Sequence, residues 1–310
     1  MPTLSGLLKI EYIHQPQYLW RRIIAQLTGK PDPAPHNCEF DLPWGLKIRA
    51  NPQEEHGRIL QTLGVIDLTV TESIWRLLEP NSIFLDVGAN IGYMTSVAIG
   101  RLASFPHSTG RTIAYEPHPE IYASLQQNVE RWRAHADRTQ ITLHQIALSD
   151  RNGSTVLSIP VDFAGNQGLA QVVHATADDR HTDDVNVDRL AIECQRLDDC
   201  FANDVINLMK IDVEGHELAV FKGALKCLTE HRIYHIIFEA HDGYPSALTD
   251  LLESYGYTIL GVERQLSGPH LVAPGSDAAS VHWLPKNYIA TCQPAAVDRA
   301  FRQGGWQIFK

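Results

Sequence analysis

The chain has 310 residues, 44% of them hydrophobic and 20% charged, a composition that supports one large folded domain or two small ones and excludes a disordered or fibrous chain. Its 26 basic residues against 36 acidic ones leave a formal charge of -10, which argues against a dominant phosphate-contacting surface and hence against a nucleic-acid substrate. No apolar run reaches the ~20 residues of a membrane span and no signal-peptide pattern opens the chain, so a cytoplasmic protein without a transmembrane segment is expected.

Residues 1–30 carry a helical apolar pattern on either side of Pro16. Trp20, Arg21 and Arg22 beside Ile23 and Ile24 could rest on a membrane surface, but a cap over the core or over a dimer partner is the favoured reading. Lys30 to Pro35 is a Pro-rich linker, and Glu39–Leu42 and Leu46–Ala50 are strand-like. These pieces form an expected N-terminal extension over 1–68, ahead of a main domain over 69–310. Thr69 or Thr71 can cap a helix through Ile74 to Leu78, with Glu72 acting either on the helix dipole or at the border of a pocket.

The most informative stretch is Ile83 to Gly92, I-F-L-D-V-G-A-N-I-G. Its apolar start suits a strand buried on both faces of a parallel sheet. Gly88 and Gly92 then provide a turn and close approach to a ligand, and a helix follows. A dinucleotide fingerprint would read G-x-G-x-x-G and present a pyrophosphate to the helix N-terminus. Here the spacing is G-A-N-I-G after Asp86, whose anion would repel a pyrophosphate. It suits a cation such as the amino group of S-adenosylmethionine, with Asn90 and the loop amides left for the carboxylate. An ordinary βα turn with an incidental Asp fits the same residues.

Thr112 to Tyr115 reads as the next strand, ending in Glu116-Pro117. Glu116 stands where nucleotide folds place an acid on the ribose hydroxyls; a surface Glu before a turn is the alternative. Glu120 to His135 is an amphipathic helix. Ile141 to Leu148 is a third strand closing at Ser149-Asp150, an end expected near the adenine. Ser154 to Ile159 extends as β structure. Gly165-Asn166-Gln167-Gly168 could form a lid, and the acidic run over 175–184 reads as a solvated loop.

The second informative stretch is L-M-K-I-D-V-E-G-H-E, Leu208 to Glu217. Asp212 and Glu214, two apart, share a face if the chain is still extended. A helix follows, with Gly223 inside it. Tyr234 to Phe238 repeats the pattern and ends in Glu239-Ala240-His241. In a parallel doubly wound α/β sheet all these strand ends open on one edge, so both pairs are expected opposite the glycine loop. For His216 a capping or solvated role is at least as good a reading as catalysis. Ser246 to Tyr255 is helical, and Tyr257 to Val262 with Tyr288 to Cys292 close the sheet. The five cysteines, Cys38, Cys194, Cys200, Cys227 and Cys292, form no C-x-x-C pair and read as free thiols.

D-V-G-A-N-I-G, Glu116-Pro117, K-I-D-V-E-G-H-E and F-E-A-H, in this order, with Asn287-Tyr288 as a closing segment, resemble the FkbM family of S-adenosylmethionine-dependent methyltransferases over roughly residues 40–292. The resemblance implies a class I methyltransferase (Rossmann-like) fold with seven strands, the last antiparallel. It implies methylation of hydroxyls of sugars, polyketides or other natural products. By position, Asp86, Gly88, Ala89, Asn90 and Gly92 would hold the amino-acid end of S-adenosylmethionine, Glu116 and Pro117 the ribose end and Ala147 the adenine side. Asp212, Glu214, Glu239 and His241 would face the methyl group and the acceptor, Asp212 also counting among the cofactor-binding residues.

The sulfonium methyl is already activated, so alignment and removal of the acceptor proton are the remaining tasks. His241 is the expected general base because imidazole titrates nearest neutrality, with Glu239 orienting it and Asp212 and Glu214 fixing neighbouring hydroxyls. A divalent metal on Asp212, Glu239 and His241 is the alternative within the class. Rivals are a non-catalytic cofactor-binding scaffold or sensor subunit, transfer to a carboxylate or nitrogen, and, more weakly, a nicotinamide oxidoreductase. Homo-oligomerisation is left open.

Overall fold

The computed structural model describes residues 9–29, 38–133, 140–160, 171–173, 187–240, 242–276 and 286–310. The strands of its main sheet are β1 (Ile83–Val87), β2 (Arg111–Tyr115), β3 (Gln140–His144), β4 (Ile206–Ile211), β5 (Ile233–Ala240), β6 (Thr258–Gln265), β7 (Gly268–Val272) and β8 (Lys286–Thr291). They lie in the order β7-β6-β8-β5-β4-β1-β2-β3. β1 to β5 run parallel, and β8 enters antiparallel between β5 and β6. The strand order reverses between β1 and β4, which is where such sheets open a crevice for ligands.

The sheet has eight strands rather than the expected seven. The extra one, β7, is the return arm of a hairpin with β6, register Gln265↔Gly268. It lies at the edge, so the inner strands and the antiparallel β8 keep the expected arrangement. A hairpin needs only a tight turn, here Leu266-Ser267, to add such a strand.

Apolar runs with no polar alternation form the central strands because both faces are covered by helices. On one face Phe84 and Leu208 pack with Val97, Ile74 and Leu125; on the other Leu85, Met209 and Ile236 pack with Val220, Phe221 and Leu252. The chain before Thr69 contributes to the first cluster through Phe40, Ile48 and Leu60. It includes a helix, Glu55–Leu63, absent from the sequence reading, as well as Pro16–Thr28 and the small hairpin Glu39–Asp41/Lys47–Arg49.

Two expectations about the helix Leu68–Leu77 are corrected. Its cap is Asp67, whose carboxylate accepts from Val70 N, not Thr69 or Thr71. Glu72 neither borders the pocket nor serves the dipole: it is fully buried and accepts from Arg76 Nε at 2.7 Å and from the amides of Gln307 and Ile308 at 2.8 and 3.0 Å. It therefore fastens the terminal turn Gln307–Phe309 to the body of the protein.

A second sheet, built from Ala147–Leu148, Gly153–Pro160, Gln171–Val173 and Val187–Gln195, is inserted between β3 and β4. Its root is tied to the helices that follow β4. A Cβ on Gly223 would stand 1.9 Å from the Ser149 carbonyl oxygen, so only glycine admits that approach. That glycine also divides the expected single helix into Glu217–Lys222 and Leu225–Thr229. Asp198 accepts from the amides of Lys226 and Cys227 at 3.0 and 2.9 Å. The expected lid at 165–168 and the acidic run at 175–184 lie outside the described residues. All five cysteines are free thiols.

Candidate active site

β1 delivers Asp86 to the C-terminal edge of the sheet, and β4 delivers Lys210 directly opposite it in register. Opposed residues of neighbouring strands share a face, and the Lys210 ammonium bridges the two strand ends. Its Nζ lies 3.9 Å from Asp86 Oδ1 and 3.4 Å from Asp212 Oδ2, and donates to Gly88 O at 3.3 Å. Burial works against this ammonium, but Asp212 and Asp86 outweigh it and hold Lys210 above its ordinary value. Asp86 is fully buried, which raises its pKa against the opposing pull of Lys210 and Thr95. Its Oδ2 accepts from Thr95 Oγ1 at 2.6 Å. The cation that answers Asp86 in this structure is thus the protein's own lysine.

Gly88 has φ +78, and a Cβ there would sit 1.9 Å from the Asp212 carbonyl oxygen. The position needs glycine for a left-handed turn and for contact with the β4 loop, not only for a ligand's approach. Asp212 N in turn donates to Val87 O at 3.0 Å.

Every amide of the loop is engaged inside the protein. Gly88 N and Ala89 N donate to Tyr115 O, Asn90 N to Glu116 Oε2, Ile91 N to Asn90 Oδ1 and Gly92 N to Ala89 O. The expectation that loop amides hold a carboxylate is therefore corrected. These donors are spent on the turn itself, which leaves the Asn90 side-chain amide. For the same reason the loop has nothing to offer a pyrophosphate.

Glu116 closes β2, buried, with Oε1 accepting from His118 N at 2.9 Å and Oε2 from Asn90 N. Burial pushes its pKa up to about 7, against the pull of those two amides. Pro117 follows it, half-buried. Ala147 is buried with Leu157, Ile192 and Cys194 in the second sheet, so its side chain belongs to that core rather than to an adenine surface. Ser149, two residues on, has its Oγ 2.9 Å from His216 Nε2, which makes His216 part of a buried polar contact at the root of the insert.

Asp212 and Glu214 were expected on one face of an extended chain. The strand ends at Ile211 and Glu214 has φ +52, so the two-residue alternation does not apply. Gly215 and Val213 donate instead to Glu217 Oε1, which stabilises the turn. Glu239 is in β5 opposite Asn287 of β8, and Asn287 Nδ2 donates to Asp67 Oδ2 at 2.9 Å. His241 lies outside the described residues. Among the described residues no three His, Cys, Asp or Glu side chains are grouped to hold a metal ion.

Three groups at this edge escaped the sequence reading. Lys210 was visible as a charge inside an apolar strand. Asp67 is solvent-accessible at the start of the helix Leu68–Leu77, and desolvation by the protein around it raises its pKa. His56, in the first turn of Glu55–Leu63, hydrogen-bonds the Asn90 side chain; desolvation first, and then the Lys210 charge, lower its pKa to about 4, so it is neutral at physiological pH. Neither of the last two carries a local signal, because both are brought in by packing of the N-terminal segment.

The profile of the FkbM methyltransferase domain matches residues 86–259, more than half the chain. A segment of the AMB antimetabolite synthetase AmbE of Pseudomonas aeruginosa is 26% identical over 275 residues; the match covers 77% of this chain and only 12% of that protein's length. The hexuronic acid methyltransferase AglP of Haloferax volcanii is 30% identical over 194 residues, covering 60% of this chain and 69% of AglP. The 31-O-demethyl-FK506 methyltransferase FkbM of Streptomyces tacrolimicus is 27% identical over 212 residues, covering 61% and 77%. With the loop of β1, Glu116 and the β4 turn all inside the matched span, the chain belongs to the FkbM methyltransferase family.

Proposed function

We propose that the chain is an S-adenosylmethionine-dependent O-methyltransferase acting on a hydroxyl of a sugar or of a glycosylated or polyketide-type natural product. The observation that carries this reading is the donor set around the β1 loop. Its amides are all engaged, and the carboxylates of Asp86, Glu116 and Asp212 stand around it with Lys210 set between the two aspartates, so that acids outnumber the ammonium. Such a site suits a phosphate-free, cationic adenosyl ligand and fits a pyrophosphate poorly. The bound cofactor would supply an electrophilic methyl group.

Glu116 is placed to accept from ribose hydroxyls, and Asp212, more accessible than the buried Asp86, to meet the ligand's amino group. Asn90, steadied by His56, is left for its carboxylate. On the acceptor side Glu239, Asn287 and Asp67 provide hydrogen-bonding groups at the ends of β5, β8 and the helix Leu68–Leu77. His241 is assigned the acceptor proton, Glu239 its orientation, and Asp212 with Glu214 the neighbouring hydroxyls. The names of two relatives, one for a hexuronic acid and one for 31-O-demethyl-FK506, support a hydroxylated sugar or natural-product acceptor.

The test is calorimetry with S-adenosylhomocysteine, followed by incubation of the cofactor with a panel of sugars and polyketide alcohols and mass spectrometry for an added methyl. Binding with methylated product supports the proposal. Binding with no transfer to any acceptor favours a scaffold role. A His241→Ala variant with normal turnover, unaffected by chelator, refutes both the general-base and the metal versions of proton removal.

A further inference from the structure

Five large hydrophobic side chains are exposed among the described residues, and four of them lie between Ile13 and Leu27: Ile13 at 58%, Trp20 at 62%, Ile24 at 56% and Leu27 at 82%. Within the helix Pro16–Thr28, Trp20, Ile24 and Leu27 recur at four and then three residues, so they form one stripe. The segment covers the core through Ile10, which packs with Val65, Leu68, Trp306 and Ile308, and through Tyr12, whereas only Tyr18 of this helix is buried. The opposite face is turned to the body: the Tyr18 ring lies against Gly64, Gln15 at the N-cap donates from Nε2 to Leu63 O at 3.3 Å, and Arg22 donates to Tyr12 Oη of the preceding helix at 3.1 Å. The apolar stripe is therefore held outward by a fixed platform.

Charge is segregated in the same segment. The chain carries -10 overall, yet no acidic residue occurs from Tyr12 to Pro31, where Arg21, Arg22 and Lys30 stand. Of the two acids that bracket this run, Glu11 is buried against Arg264, and Asp32 lies outside the described residues. Two such cationic helices would repel one another, which disfavours a second copy of the chain as the occupant. An aromatic and aliphatic stripe flanked by arginine, with no acid, suits the boundary between headgroups and acyl chains of an anionic bilayer.

We propose that the helix Pro16–Thr28 docks the protein on an anionic membrane surface, with Trp20, Ile24 and Leu27 inserted and Arg21 at the headgroups. The helix packs beside Glu55–Leu63, whose first turn carries His56 to the Asn90 loop. Docking would thus hold the cofactor side of the sheet near the bilayer.

The experiment is cosedimentation of the full chain with vesicles of phosphatidylcholine alone and of phosphatidylcholine with an equal part of phosphatidylglycerol. The expected result is binding to the anionic vesicles, weak binding to the neutral ones, and a tenfold or greater loss on adding salt to about 0.5 M. The triple variant Trp20→Ser, Ile24→Ser, Leu27→Ser should lose binding at least tenfold with an unchanged melting temperature, since its sites are exposed. Arg21→Glu is a second, independent variant and should weaken binding while leaving the apolar stripe in place. Equal vesicle binding by the triple variant overturns the proposal. So does absence of vesicle binding by the wild type, whether the chain is then monomeric or forms a dimer that the triple variant abolishes in analytical ultracentrifugation.

Discussion

Replacing Lys210 with Met removes, among the described residues, the cation that faces both Asp86 and Asp212, while keeping most of the side-chain volume. Asp86 would be left fully buried with the Thr95 hydroxyl as its hydrogen-bond donor. Breaking a buried pair by deleting one partner typically costs about 3–5 kcal/mol. The loss has a ceiling, because the folded chain can protonate Asp86 instead. From an unfolded reference near 3.9, neutralising it at pH 7 means three pH units at about 1.4 kcal/mol each, so roughly 4 kcal/mol. Burial already raises Asp86 in the wild type and takes up part of that range, so at about 2 °C per kcal/mol for a chain of this size Lys210→Met should melt below the wild type at pH 7 by at most about 8 °C. The sign with pH follows from Asp86 having a folded pKa raised above its unfolded one. Its penalty is absent below about pH 4 and grows as pH rises towards the folded value. The gap to wild type should therefore shrink as pH falls from 7 to 5, and adding Asp86→Asn should recover most of it at pH 7. Paired melts by circular dichroism at both pH values measure this. A variant within 2 °C of wild type at pH 7, or a loss identical at pH 5 and pH 7, would refute the assignment of Lys210 as the counterion.

Glu116, pushed up to about 7 by burial, must be ionised to accept ribose hydroxyls, so affinity for S-adenosylhomocysteine should rise as pH increases through 7. Glu116→Gln should bind more weakly and lose that pH dependence in calorimetry. Gly88→Ala forces a Cβ to within 1.9 Å of the Asp212 carbonyl at a φ of +78; the left-handed turn alone costs about 1–2 kcal/mol, and S-adenosylhomocysteine affinity should fall more than tenfold. Glu72→Ala strips two tail amides and Arg76 of a buried acceptor. A loss of about 3 kcal/mol in thermal stability, with faster hydrogen exchange at residues 305–310, is expected, and slow exchange there would contradict the role given to Glu72.

The central strands were legible because residues buried on both faces of a parallel sheet must be apolar, as in Ile83 to Val87 and Tyr234 to Phe238. The loop of β1 was equally plain, since a left-handed turn selects glycine at position 88. Its purpose was only half visible. Asp86 looked like a site for a ligand's cation because nothing local announces that Lys210, 124 residues later, lands opposite it in register. Glu214 was assigned by strand alternation, which fails once the backbone leaves the extended region. His56 and Asp67 reach the sheet edge through packing of the N-terminal segment, and the binding of Glu72 to the Gln307 amide spans the chain. Sequence periodicity reports on neighbours along the chain, and these contacts are made across it.

The root of the inserted sheet has an implication for engineering. Ser149 is seated in the slot left by Gly223, and Asp198 is pinned by the Lys226 and Cys227 amides. Both anchors belong to the methyltransferase core, and between them the chain leaves and returns through paired strands, with Gly153 opposite Cys194. The segment from Asp150 to Arg196 is thus bounded like an exchangeable cassette. A counterpart from another family member could be grafted between the two anchors without disturbing Asp86, Lys210 or Glu116.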